Sequence, residues 1–317
     1  MISGSSMTPE TATPEPDAAT EQAAPACVMS FNASDPSGAG GTAGDVATIA
    51  AMGAHALPVV TGIVMRDTAE VFDHHPIDAD VIAEQARSVL EDVTIAAWKV
   101  GFLGSTEGVS TVAEILSDYP DVPLVAYMPN LSWVEEDELQ GYLDAFRELV
   151  LPQTEVLVGS HQTLTDFLLP DWDNERPASP RELAVAAGEH GTRYVLVTSV
   201  PLPDQFLDNV LASPQGAITG EKFERFEVAF VGAGDTLAAA LAALLAAGAE
   251  LTAAVGEALA FLDQALDAGF RPGMGNVIPD RFFWALPPGD EDEEGEPGTE
   301  EPAADDATPP RNPRHVH

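Results

Sequence analysis

The sequence predicts an α/β domain with a mainly parallel sheet and helices on both of its faces. Two observations predict it. Short apolar runs of strand length alternate with stretches of helix length, and parallel pairing requires such crossovers between strands. Two glycine-rich loops also leave apolar runs and enter helices. In such folds the ligand lies beyond the C-terminal ends of the strands, so loops distant in sequence can share one crevice.

The elements follow in order. Residues 27–33 read as a buried strand, 34–41 as a Gly/Ser/Pro loop and 42–52 as a helix. A second apolar strand covers 55–64, and 79–90 is an amphipathic helix. Strand 95–99, helix 107–116 and strand 124–127 come next. Ser132 and Glu135 have the spacing of a capping box, predicting a helix that runs to about Leu149. Strand 155–158, a helical stretch 164–168, helix 180–189 and strand 194–198 continue the alternation. Residues 206–230 are rich in turns and read as antiparallel strands. Helices over 236–247 and 252–268 close the pattern. His74 and His75 fall in a turn-like stretch, too sparse for a metal site. Glu135–Glu138 complement the dipole at a helix start, and Trp98 reads as core.

Composition limits the function classes. A net charge of −39 opposes binding to nucleic acid or to anionic membranes. Part of that charge crowds residues 290–306, and self-repulsion predicts a disordered acidic tail over 288–317. Residues 1–25 read as a second disordered tail, leaving 26–287 as one domain. The N-terminal stretch lacks the basic and apolar regions of a signal peptide. The apolar run 237–249 is too short to span a bilayer. Cys27 is the only cysteine, so no internal disulfide is possible. A cytoplasmic protein is expected.

Two motifs carry chemistry. Val231-Gly232-Ala233-Gly234-Asp235-Thr236 opens a helix. Unpaired N–H groups and the helix dipole make such a turn a site for a phosphate, and Asp235 can take a proton from an attacking hydroxyl. No Walker A sequence occurs. The other motif, Asn32 to Gly41 followed by Asp45, supplies flexible backbone, small side chains and acids. Each loop alone also reads as an ordinary strand-to-helix turn.

Together the two loops resemble the ribokinase superfamily. The resemblance is greatest to its hydroxymethylpyrimidine/phosphomethylpyrimidine kinase and pyridoxal kinase branch, and it covers roughly 27–285. Its carriers are Ser34-Asp35-Pro36-Ser37-Gly38-Ala39-Gly40-Gly41 with Asp45, Val64-Met65-Arg66-Asp67-Thr68, Lys99-Val100-Gly101-Phe102-Leu103, Leu151-Pro152-Gln153, Gly232-Ala233-Gly234-Asp235 and Gly273-Met274-Gly275 with Pro279-Asp280. The resemblance implies a three-layer sandwich, usually a homodimer, that uses ATP and Mg²⁺ to phosphorylate a hydroxymethyl group on a pyrimidine in thiamine biosynthesis. It implies Asp235 as general base and Gly232, Ala233 and Gly234 as anion hole. It places Ala33, Asp35, Asp45, Arg66 and Phe102 around the substrate, and it assigns no metal ligand.

The chain departs from the family pattern at four points. Arg66 stands where the family has Glu or Gln, and would favour an anionic or phosphorylated substrate unless it points to solvent. Ala126-Tyr127-Met128-Pro129 replaces Asp-Pro-Val-Met. Ser160-His161-Gln162-Thr163 replaces Asn-x-x-Glu, and Thr198-Ser199-Val200-Pro201 replaces Lys-Gly-Gly-His. These losses keep two further readings open: pyridoxal kinase-like activity, and a non-catalytic pyrimidine-binding or regulatory protein.

Overall fold

The computed structural model describes residues 24–285. All but the last two residues of the predicted N-terminal tail, and the whole predicted C-terminal tail, lie outside the described residues. The fold below ends at Phe283.

Nine strands form one sheet: β1 (Cys27–Ser34), β2 (His55–Arg66), β3 (Val71–Pro76), β4 (Ala97–Val100), β5 (Leu124–Tyr127), β6 (Val156–Ser160), β7 (Tyr194–Pro201), β8 (Phe206–Ser213) and β9 (Gly216–Glu224). Their order across the sheet is β3-β2-β1-β4-β5-β6-β7-β8-β9. The pairs from β2 through β1 and β4 to β7 are all parallel. The outer pairs β2–β3, β7–β8 and β8–β9 are antiparallel. The central strands read as unbroken apolar runs because both of their faces are covered.

Eight α-helices cover the sheet: α1 (Gly41–Ala51), α2 (Ala79–Leu90), α3 (Thr106–Ser117), α4 (Glu136–Ala145), α5 (His161–Leu168), α6 (Pro180–Glu189), α7 (Ala233–Ala246) and α8 (Leu251–Asp267). One core joins α2 to α6 with one face of the sheet. The other joins α1, α7 and α8 with the opposite face. Helix α7 is buried without interruption from Thr236 to Leu244. Its many alanines let it lie close to the sheet while α8 covers its outer side. This three-layer sandwich is the predicted one.

Three local expectations need correction. His74 lies in strand β3 rather than a loop, with its ring edge-on to Phe102 and Trp133 at centroid distances of 5.4 Å. The capping box at Ser132 does not form. Glu135 itself is the N-cap of α4, with extended backbone, because the Asn130 side-chain amide oxygen turns the chain by accepting from the Ser132 N–H. That helix also leaves α-geometry at Phe146, passing through a π-turn and then a 3₁₀ turn at Leu151–Gln153 that holds Pro152. A capping box does form at Ser179 and Glu182.

Leu241 is fully buried in α7 between the sheet and α8. Leu241→Ala is expected to lower stability by about 2–5 kcal/mol, read from urea unfolding midpoints.

Candidate active site

A buried lysine organises the site. Lys99, the third residue of β4, is 0% exposed. Its Nζ lies 2.6 Å from Asp235 Oδ1, and 2.8 and 3.0 Å from the two carboxylate oxygens of Asp45. Asn32 on β1 completes the cluster. Its Nδ2 donates to Asp45 (3.0 Å) and to Asp235 (2.9 Å), and its Oδ1 accepts from the N–H groups of Ala33 and Phe102. Ser30 donates to Asp45, and the Gly41 N–H donates to Asp235 Oδ2 at 3.1 Å. One cation therefore faces two carboxylates that come from different helices, α1 and α7.

The electrostatics follow from that arrangement. Burial alone would raise the Asp235 carboxyl, but the Lys99 ammonium and the donors from Gly41 and Asn32 outweigh it and hold it below the usual carboxylate range. Asp45 goes the other way: burial raises it more than Lys99 lowers it, and the Asp235 charge adds to the rise. Burial would lower Lys99, yet the two carboxylates hold it above its ordinary value. Lys99 therefore stays charged and Asp235 stays ionised.

The second glycine loop meets the first here. Gly232 is the N-cap of α7 with φ of 87°, and a Cβ at this position would fall 1.7 Å from the Ala39 carbonyl oxygen. Glycine is thus required twice, for the left-handed backbone and for the contact between loops. Arg281 fastens the same junction from below. It is 6% exposed, its Nε donates to Thr236 Oγ1 at 3.0 Å, and its two terminal nitrogens donate to the Gly38 and Ala39 carbonyls. The N–H groups of Ala233, Gly234 and Asp235 have no acceptor among the described residues.

A cavity of about 380 Å³ opens above this junction. Ala33, Asp35, Arg66, Phe102, Gly232, Ala233, Gly234 and Asp235 all line it. Asp45 is the exception among the sequence-predicted residues. It is fully buried beneath the cavity and contacts Lys99 instead of open space, so its assignment as a substrate contact is corrected to support of Lys99. Arg66 does not point to solvent: its side chain is 12% exposed and lies 3.7 Å from Asp35. Asp35 is itself pinned by Ser37 and by the Gly40 N–H. Phe102, Trp133 and His74 stack edge to face and form an aromatic wall. A second cavity of about 300 Å³ shares Thr198, Ser199, Phe230, Ala233 and Gly234 with the first and continues among Phe223, Phe226, Leu237, Leu262 and Leu266. A larger cavity, about 610 Å³, is lined by Trp98, Tyr119, Gln153 and Arg193 and contains none of these site residues.

Ser199, at the wall shared by the two cavities, has φ of 59° and donates its N–H to Asn209. A serine here holds the left-handed backbone that glycine adopts most readily. Lys99, Asn32, Arg281, Tyr127 and Trp133 were not singled out as site residues from sequence. Lys99 had a signal, being one of two lysines in the chain and lying within an apolar strand.

Comparison with known proteins identifies the family. The phosphomethylpyrimidine kinase family model matches residues 35–280. The chain belongs to this family. It is 28% identical over 271 residues to the hydroxymethylpyrimidine/phosphomethylpyrimidine kinase of Streptomyces coelicolor, covering 85% of this chain and 98% of that protein. It is 32% identical over 248 residues to a chloroplastic thiamine biosynthetic bifunctional enzyme of Arabidopsis thaliana. That match covers 76% of this chain, which spans just under half (46%) of the plant protein. The pyridoxal kinase of Bacillus subtilis in its ADP complex shares the fold, with a TM-score of 0.74, 22% identity, and coverage of 83% of this chain and all of that one. The family member is thus a ribokinase-like, small-molecule kinase. No helix among the described residues is long and apolar enough to cross a membrane.

Lys99→Met removes the cation and leaves two carboxylates buried together. Breaking a buried pair in this way costs about 3–5 kcal/mol. In the wild type, Asp235 contributes stability above its unfolded pKa, and this is lost as pH falls through the depressed folded value. Without Lys99, both carboxyls rise. The variant's deficit is therefore expected to be largest near neutral pH and to shrink on acidification, as read by denaturant unfolding at several pH values.

Proposed function

We propose that the protein transfers the terminal phosphate of ATP to the hydroxymethyl group of a pyrimidine or of its phosphate, in thiamine biosynthesis or salvage. One observation carries this reading: an ionised Asp235 and three unpartnered N–H groups stand at the boundary of two adjoining cavities. One cavity suits a flat aromatic ring, with Phe102 and Trp133 at its wall and Arg66 and Asp35 at its polar end. The other has an apolar lining with Phe226 and Phe230 for a nucleotide base, and it reaches the same turn of α7.

In the transfer, the acceptor hydroxyl oxygen bonds to the terminal phosphorus. Its proton passes to Asp235, the bond to the bridging oxygen breaks, and ADP leaves with the electron pair. The transition state is loose, so a well-placed weak base suffices. The N–H groups of Gly232, Ala233 and Gly234 belong to this proposal as the anion hole, with Ala33, Asp35, Arg66 and Phe102 as acceptor contacts. The donor set does not fit a protein-held Mg²⁺. Among the described residues no group of three or more ligating side chains comes together, and Asp35 and Asp235 are already engaged by Arg66 and Lys99. The proposal includes a cytoplasmic setting, which the lone cysteine supports, and a homodimer. The exposed Ile63, Met65 and Phe72 on the β2–β3 hairpin support the latter.

Pyridoxal kinase-like activity is the second reading, favoured by an aromatic wall that suits any flat heterocycle bearing a hydroxymethyl group. Turnover of hydroxymethylpyrimidine, its phosphate and pyridoxal, compared side by side with ATP, decides between them. Turnover of the pyrimidines above pyridoxal is expected. Preference for pyridoxal supports the second reading, and ligand binding without nucleotide binding supports a non-catalytic binder. Asp235→Asn is expected to lower kcat by about 10²–10⁴-fold with the fold intact; full activity would overturn its role as base. Arg66→Gln is expected to raise KM for the phosphorylated pyrimidine about tenfold or more, the weight of a charged hydrogen bond. The unphosphorylated acceptor should change far less.

A further inference from the structure

Tyr127 ends β5 on the wall of the acceptor cavity. It lies in Ala126-Tyr127-Met128-Pro129, where the resembling family has Asp-Pro-Val-Met, and follows directly on Ala126, which stands at the acid. Its ring lies against the first turn of α7. A Cβ placed on Gly234 would fall 2.3 Å from Tyr127 Cζ and Oη, so glycine at 234 is what admits the phenol to this position. Lys99 Nζ lies 5.8 Å from the ring centroid. No hydrogen bond engages the phenol hydroxyl among the described residues. The neighbouring N–H groups of Ala233, Gly234 and Asp235 also lack acceptors.

The patch therefore gathers one O–H and three N–H donors. None of the three N–H groups is bonded to the phenol oxygen, and the group that satisfies several donors at once carries several acceptor oxygens, as a phosphoryl group does. Burial, and then the Asp235 charge, push the phenol well above its ordinary range. It therefore remains a donor through neutral and alkaline pH.

We propose that Tyr127 is a further catalytic residue, whose hydroxyl donates directly to an oxygen of the phosphate transferred at the start of α7. This rests on the kinase reading above. Tyr127 undergoes no covalent change; it adds one positioned donor to the backbone N–H groups of the turn, where charge on the transferring group must be balanced.

The test uses the full-length protein and Tyr127→Phe, which keeps the ring against Gly234 and removes only the hydroxyl. Thermal melting and circular dichroism establish that it folds. Removing one such donor is expected to lower kcat about 10²-fold, with KM for the acceptor nearly unchanged. Calorimetry supplies a readout independent of turnover: Tyr127→Phe should weaken binding of β,γ-methylene ATP and leave ADP binding unchanged, since only the former presents the terminal phosphate. Tyr127→Leu, which removes ring and hydroxyl together, should reproduce the loss. Unchanged kcat and unchanged analogue binding in Tyr127→Phe would reduce the residue to packing and overturn the proposal. A rise in kcat in Tyr127→Leu would make the ring an obstruction and overturn it as well. If the wild type binds the analogue but turns over no acceptor, the kinase reading falls, while the calorimetric comparison still decides the contact.

Discussion

The site depends on one buried charge balance. Lys99 sits in the middle of the sheet with no access to water, and an isolated ammonium there would be prohibitively costly. Two carboxylates make it tolerable, and Asn32 fixes both. Asp45 comes from the helix after the first loop and Asp235 from the helix after the second. The requirement to neutralise Lys99 thus brings the two glycine loops to one place, and the cavity above them is a consequence. Gly232 against Ala39, and Arg281 beneath both loops, belong to the same constraint.

The charge balance also bears on the base. A carboxylate held by an ammonium is a weak base, and a reaction that needed a strong one would be poorly served. Phosphoryl transfer asks chiefly for position and for donors around the phosphate. Asp235 has position, since Lys99, Asn32 and Gly41 leave its carboxylate little freedom. The donors lie in the turn beside it. Of the segments that break the family pattern, Tyr127, Ser160 and Thr198 line the same cavity as the turn.

Much of this was legible in the sequence, for identifiable reasons. Helices α2 and α6 and strand β5 had the expected bounds because period and breakers agree there. The meeting of loops 34–41 and 232–235 at one cavity was legible because both leave apolar runs toward the same edge of a parallel sheet. Strand β3 was missed since its polar, edge-lying His74-His75 gives no apolar alternation. The box at Ser132 failed because capping spacing alone cannot see the turn made by Asn130. Asp45 was misplaced outward: spacing puts it near the loop, but only the fold shows that its side chain turns inward to Lys99. Arg281 carries no motif, Tyr127 stands in a segment marked only by its departure from the family pattern, and the proximity of both to the turn is purely tertiary.

Arg281 has a consequence for how the molecule comes into being. It joins the first loop, near residue 38, to the second, near 236, from a position almost at the end of the described fold. During synthesis, the strands β1 to β7 can emerge and pair while this fastening is still unmade. The acceptor half of the site is thus exposed as loose loops until the last helix and the segment after it have left the ribosome. The junction between the two loops is therefore complete only once the C-terminal end of the fold is in place.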